Sequence, residues 1–264
     1  MSDAPSLRFA VVGPGRAGVS FQKALTHVGA VCVESIGRDR DPGELDAALD
    51  LVLIAVPDRA IADVAARVPA GPLVVHVSGA TTLAPLLAHH RRCGSMHPLL
   101  SLPNADAGAA ALLAGANLAI AGADEVCERE LLDVAVLLGA RPFLVHEAKR
   151  AQYHAAASVS ANHLVALTAQ VERIAHDADL PLAPFLDMMR AVLDNIEQDG
   201  AALSLTGPTA RADWATVQSH LEALPRGEHS LYLTMARACA DLVGHDFPFD
   251  VSPLTIPTPS EEQP

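Results

Sequence analysis

The hexapeptide Gly13-Pro14-Gly15-Arg16-Ala17-Gly18 stands between the apolar run Phe9-Ala10-Val11-Val12 and a helix-patterned segment from Ala17 to Val28, and a second apolar run begins after Gly29. A strand, a glycine turn, a helix and a further strand make the opening unit of a parallel sheet, because a parallel neighbour is reached only through a crossover. In such a unit each glycine has its own task. Gly13 makes the tight turn, Gly15 lets a phosphate approach the backbone, and Gly18 lets helix and strand pack closely. The first helical turn adds unpaired N–H groups and the positive end of the helix dipole. The stretch is therefore expected to cradle a dinucleotide pyrophosphate, with Pro14, Arg16 and Ala17 in the same turn.

The rest of the N-terminal half repeats the alternation. Short runs rich in Val, Ile and Leu read as strands at 8–12, 30–36, 50–56, 73–78, 94–97, 117–121 and 141–146, with helices over 16–28, 58–67, 81–90 and 124–138. Past Val145 the strand pattern stops, and helices are expected at about 148–178, 183–199, 209–223 and 228–244. The expected class is α/β: an N-terminal, mostly parallel sheet with helices on both faces over residues 1–147, then an all-helical domain over residues 148–247. No flexible linker parts the two, so a shared cleft is expected. Residues 248–264, rich in Pro, Ser, Thr and Glu, read as an arm or disordered tail.

Composition narrows the ligand. Half of the 264 residues are hydrophobic, enough for a sizeable core. A formal charge of −13 argues against general attraction to nucleic acid or to an anionic membrane, so an anionic ligand needs a local site. The N-terminus shows no basic segment followed by a long apolar run, and no apolar stretch reaches membrane length, so a cytoplasmic protein is expected. Cys32, Cys93, Cys127 and Cys239 are scattered, and the 12 histidines fall in no ligand spacing. No metal is expected.

The end of the second strand selects the dinucleotide. An NAD site places an acidic residue about 20 residues after the glycines, to bond the ribose hydroxyls. Here VCVESIGRDR ends in Gly37-Arg38-Asp39-Arg40, and Glu34 comes too early for that role. Arg38 follows the strand directly and suits a 2′-phosphate, which favours NADP(H), unless Arg38 and Arg40 are solvated loop charges.

Ligands of open α/β sheets bind beyond the carboxyl ends of the strands, which here carry Val56-Pro57-Asp58, Ser78-Gly79-Ala80-Thr81 and Met96-His97-Pro98. Val56 and Pro57 are expected beneath the nicotinamide-ribose half, with Asp58 capping the next helix. Ser78 and Gly79 join the cofactor set, although Ser78 and Thr81 serve equally as turn and cap residues. His97, held by Pro98, is either a structural or a catalytic histidine. In the long helical segment His154, Ser158 and Asn162 recur every four residues and share one face. That stripe either bonds neighbouring backbone or lines the cleft above the nicotinamide.

The stretches VVGPGRAG, DLVLIAVPD, HVSGAT, the MHPL turn, YHAAAS followed by Asn162, and LTGPTARAD together resemble, along nearly the whole chain, the Rossmann-like proteins that carry the C-terminal domain of unknown function 2520. The wider superfamily includes 6-phosphogluconate dehydrogenase, 3-hydroxyisobutyrate dehydrogenase, ketopantoate reductase and pyrroline-5-carboxylate reductase. The resemblance implies an NADP-dependent oxidoreductase whose Rossmann domain feeds a helical domain that often dimerises. A homodimer through that domain and a small anionic substrate between the domains are expected.

The hydroxyacid dehydrogenases of the superfamily place a Lys one helical turn before an Asn, and here Ser158 stands in the Lys position before Asn162. Lysine-based oxidation of a hydroxyl is therefore not expected. His154 and His97 become the proton donors, with Ser158 and Asn162 positioning the substrate. In LTGPTARAD, Arg211 either clamps a carboxylate or makes an ion pair, Asp213 orients it or caps the next helix, and Ala212 stands where the family commonly has Gly. The expected reaction is hydride transfer between NADP(H) and a small carbonyl, imine or hydroxy acid. The rival expectation is a non-catalytic NADP(H)-binding sensor or scaffold.

Overall fold

The structure is a computed structural model and describes residues 6–251. The strands are β1 (Arg8–Val12), β2 (Val31–Ile36), β3 (Leu51–Ile54), β4 (Leu73–His76), β5 (Cys93–Pro98), β6 (Asn117–Gly122) and β7 (Arg141–Leu144). Between them run α1 (Arg16–His27), α2 (Ile61–Ala65), α3 (Ala84–Leu87), α4 (Ala105–Leu113) and α5 (Glu125–Leu137). One sheet holds all seven strands in the order β2-β1-β3-β4-β5-β6-β7. Neighbours are parallel except β5 and β6, where Met96 faces Ile120 in an antiparallel pair.

Successive side chains of a strand point to opposite faces. Phe9, Val11, Leu51, Leu53 and Val75 thus enter one core with Phe21 and Leu25 of α1, Leu112 of α4 and Leu131 of α5. Ala10, Val12, Val52, Ile54 and Val74 enter the other with Ile61 and Val64 of α2 and Leu86 of α3. Burial on both faces is why these strands read as unbroken apolar runs.

α4 was not expected from the sequence. Asn104 starts it by accepting the Ala107 N–H at 2.9 Å, and it packs on α1 through Gly108, where a Cβ would collide with Ser20. The helix expected at 81–90 is only the single turn of α3.

The segment expected as one helix over 148–178 is a 3-10 turn (Glu147–Lys149), α6 (Arg150–Ser158), a π turn (Val159–His163) and α7 (Leu164–Asp177). By its contacts the chain divides into two compact units within this segment, after Asn162, so α6 and most of the π turn count with the sheet.

The second unit holds α7, α8 (Ala183–Asp199), α9 (Ala201–Ser204), α10 (Trp214–Ala223) and α11 (Arg226–Val243). The helix expected from 209 starts only at Trp214. Residues 209–211 form a 3-10 turn that ends at Ala212, whose left-handed backbone (φ 52°, ψ 33°) stops it. Phe249, read as part of the tail, and Phe247 just before it lie edge-on to Trp214 at 6.4 and 5.7 Å; the tail beyond Val251 falls outside the described residues. Among the described residues no helix is long and apolar enough to cross a membrane.

Candidate functional site

β2 and β3 flank β1, so the chain reverses its direction of travel across the sheet at β1, and the carboxyl ends of β1 and β3 part there. The groove at this switch point has a volume of about 670 Å³. Gly13, Pro14 and Gly15 line it after β1, Arg38 and Arg40 after β2, and Val56, Pro57 and Arg59 after β3.

The three glycines differ in their surroundings. Gly13 has φ +95°, and a Cβ there would stand 2.6 Å from the Ala55 carbonyl. At Gly18 a Cβ would press on Val11 and Ala55 at 3.1 and 3.2 Å. A Cβ built on Gly15 would meet nothing within 4 Å among the described residues. α1 begins directly after it with no side-chain cap and no acidic residue in its first turn, so Arg16, Ala17 and Gly18 present the free N–H groups of a helix terminus.

Four arginines reach the groove. Arg40 pairs with Glu34 at 3.2 Å and Glu44 at 3.6 Å, and Arg67 with Asp41 at 3.5 Å. Arg38 and Arg59 have no carboxylate partner among the described residues. Two cations without a described carboxylate partner beside an uncapped helix terminus supply the charge and N–H donors that an anion requires. Another groove of about 590 Å³ lies at the amino ends of the strands, by Leu7, Asp50 and Arg92, where ligands of such sheets do not bind.

From the groove, contacts lead inward past β4. Ser78 Oγ donates to Asp58 Oδ2 at 2.8 Å and accepts the N–H groups of Ala80 and Thr81 at 3.2 and 3.0 Å. Asp58 does not cap α2; it lies in a 3-10 turn, and its carboxylate is taken by Ser78. Beneath, the fully buried His76 accepts the Ser78 N–H at Nδ1, which leaves Nε2 to donate to the Thr82 carbonyl. Burial, then the Arg150 charge, pushes His76 down to about 4.

Gly79 follows, and there the strand-end histidine and the helical stripe meet. His97, His154, Ser158 and Asn162 line one cavity of about 240 Å³, together with Ser101 and Ser160. The rings of His97 and His154 stand edge to face at 6.0 Å. His154 Nδ1 is buried without a hydrogen-bond partner among the described residues. The π turn carries Ser160 and Asn162 to the wall, and such turns recur at functional sites. Among the described residues no Lys, Arg, Asp or Glu lines this cavity.

Burial and the charges of His154 and Arg150 push His97 down to about 4, so it is a neutral imidazole at pH 7 rather than one that titrates near neutrality.

Three residues were not foreseen: Arg59 in the groove, and Tyr153 and Arg150 on α6. The Tyr153 hydroxyl lies 2.6 Å from His97 Nδ1. Arg150, 1% exposed, donates to Glu147 at 2.8 Å and Ser95 at 2.5 Å, while the other Glu147 oxygen accepts the Leu83 N–H at 2.5 Å. The i+4 spacing that marked His154 and Ser158 gives no weight to Tyr153, one residue away. In the second unit, Asp213 caps α10 by accepting the Thr216 N–H at 3.2 Å and its hydroxyl at 2.7 Å, and Arg211 ends the 3-10 turn before it.

Residues 116–239 match the family described as Domain of unknown function (DUF2520). No curated protein matches the sequence. Among solved structures, the chain is similar to a candidate NADP oxidoreductase from Bacteroides fragilis, at 17% identity and a TM-score of 0.75 over 89% of this chain and 98% of that one. A protein from Thermotoga maritima matches at 23% identity and a TM-score of 0.69 over the same shares. A pyrroline carboxylate reductase from Plasmodium falciparum, solved with NADP bound, matches at 8% identity and a TM-score of 0.58 over 90% of this chain and 98% of that one. Residues 116–239 thus match the DUF2520 family model, and along about 90% of its length the chain shares the fold of these three proteins.

Proposed function

We propose that the protein is a cytoplasmic, NADP-dependent oxidoreductase that transfers a hydride between NADP(H) and a small carbonyl, imine or hydroxy-acid substrate. The observation that carries this reading is the pairing, in one groove, of an uncapped helix terminus with the unpaired cations Arg38 and Arg59. The open space at Gly15 fits a pyrophosphate, Arg38 fits a 2′-phosphate, and Val56 and Pro57 form the floor for the nicotinamide ribose. Ser78 and Gly79 continue that floor toward the imidazoles. NADP bound in the pyrroline carboxylate reductase of the same fold agrees with this choice of dinucleotide.

Bound nicotinamide would supply or accept the hydride. The protein supplies the rest. His97 and His154 exchange the proton, and Ser158 and Asn162 orient the reacting carbonyl or imine. A homodimer through the helical unit is supported by the exposed apolar side chains of Val165 on α7 and Met188 and Leu193 on α8.

Titration with NADPH and NADH, followed by nicotinamide fluorescence, tests the cofactor, and a panel of carbonyl and imine acids then tests turnover. Tight NADPH binding with no turnover of any member would favour the sensor or scaffold reading, which the serine at position 158 suits.

A further inference from the structure

Tyr153 does not form part of the cavity wall; it stands behind His97. Its hydroxyl is 2.6 Å from His97 Nδ1, the two rings meet edge to face at 5.7 Å, and Phe143 packs against Tyr153 at 5.9 Å. Among the described residues Nδ1 is the one hydrogen-bond partner of this phenol. If Nδ1 carried the proton, the phenol O–H would have no described acceptor in a half-buried place. With the phenol as donor and Nδ1 as acceptor both groups are satisfied within the protein, and the ring's own proton then lies on Nε2. Nε2 has no partner among the described residues and faces Gly79, where a Cβ would stand 2.8 Å from it.

We propose that Tyr153 fixes His97 as the Nε2–H tautomer and refills it in turnover: as the substrate oxygen or nitrogen takes the Nε2 proton, Nδ1 takes the proton of the phenol. This rests on reading the cavity as a site of carbonyl or imine reduction. The imidazole is neutral before and after the step and only exchanges which nitrogen carries hydrogen. The negative charge moves to the Tyr153 oxygen, and water returns the proton after the product leaves. Oxidation of a hydroxyl or amine runs the same path backward.

The charged groups facing this pair suit the route. Arg150 and His154 face His97 from α6 and Asp58 faces it from the turn after β3, Asp58 alone favouring the imidazolium. Burial raises the Tyr153 phenol, and the Arg150 charge offsets part of that rise. The imidazolium is disfavoured, so the proton is passed along the ring rather than held on it. Tyr153 is thus a positioning residue that acts through His97.

The test is side-chain nitrogen–proton correlation NMR on the ¹⁵N-labelled chain without nucleotide, from pH 5.5 to 9, with His97 assigned by the signals lost in His97→Gln. The expected result is a single neutral Nε2–H tautomer for His97 across the range, turning into a mixture with Nδ1–H in Tyr153→Phe. Tyr232→Phe, at the other tyrosine, is expected to change nothing. An Nδ1–H tautomer or an imidazolium at neutral pH in the wild type would overturn the proposal.

This readout needs neither cofactor nor substrate, so failed NADPH binding by the same sample would defeat the oxidoreductase reading separately. With a reducible substrate, Tyr153→Phe is expected to lower kcat by about 100-fold, the scale of general-acid catalysis, with little change in KM. It is also expected to remove the basic limb of the pH profile. A retained basic limb would overturn the relay.

Discussion

Gly79 leaves room for the ring of His154. A Cβ built on Gly79 would stand 2.7 Å from His154 Nδ1, and 2.8 Å from His97 Nε2 on its other flank. Any side chain there must push two imidazoles off the cavity wall. Gly79→Ala is expected to lower stability by about 1–3 kcal/mol, the scale of overpacking, in urea unfolding. A variant as stable as wild type would mean that the rings have slack that the structure does not show.

The open surroundings of Gly15 and the closed ones of Gly13 predict opposite outcomes for one substitution. Gly15→Ala puts a methyl into empty space at ordinary backbone angles, so stability is expected to change by no more than about 1 kcal/mol. NADPH affinity is expected to fall at least about tenfold, because the methyl occupies the approach of the pyrophosphate. Gly13→Ala meets the Ala55 carbonyl at a positive φ and is expected to lose more stability than Gly15→Ala. Paired denaturation and fluorescence titrations measure both, and equal stability losses would contradict the assignment.

Two histidines tie stability to pH. His76 and His97 are pushed down to about 4 from 6.5, so the folded chain resists their protonation. Their contribution is present above about pH 6.5 and is lost as pH falls from there toward 4. For His76 the loss is at most about 3 kcal/mol. Urea unfolding at pH 7 and pH 4.5 should show a smaller pH difference for His76→Gln than for wild type, and an equal difference would remove His76 as a source.

Ala212 holds a left-handed conformation that costs an L-residue about 1–2 kcal/mol. Ala212→Gly relieves it but gives the unfolded chain more freedom. The expected net gain is about 1 kcal/mol in urea unfolding, and a loss would show that the Ala212 methyl makes a compensating contact.

β1, β3 and β4 were legible because burial on both faces leaves apolar runs, and the glycine loop because its strand and helix neighbours appear in order. α4 was not, since ADAGAAALL is mostly Ala and Gly and shows no apolar stripe against polar residues. The four-residue spacing put His154 and Ser158 on one face of α6, and the π turn brings Asn162 to the same cavity with His97.

Tyr153 and His97, 56 residues apart, are joined only by the sheet that carries one and the helix that carries the other. Arg150 reads as a surface charge, and only Glu147 and Ser95 make its burial possible. Asp58 after a proline reads as a helix cap, but the nearby Ser78 hydroxyl claims the carboxylate.

The central claim is that the groove holds a phosphorylated dinucleotide, and the most direct measurement is fluorescence titration of wild type and Arg38→Ala with NADPH and NADH. Wild type is expected to prefer NADPH, and Arg38→Ala to weaken NADPH binding by about 1.5–3 kcal/mol, the worth of a hydrogen bond to a charged group. NADH binding should be unchanged in the variant. Equal binding of both nucleotides by both proteins would contradict the role of Arg38, and no binding of either would contradict the oxidoreductase reading itself.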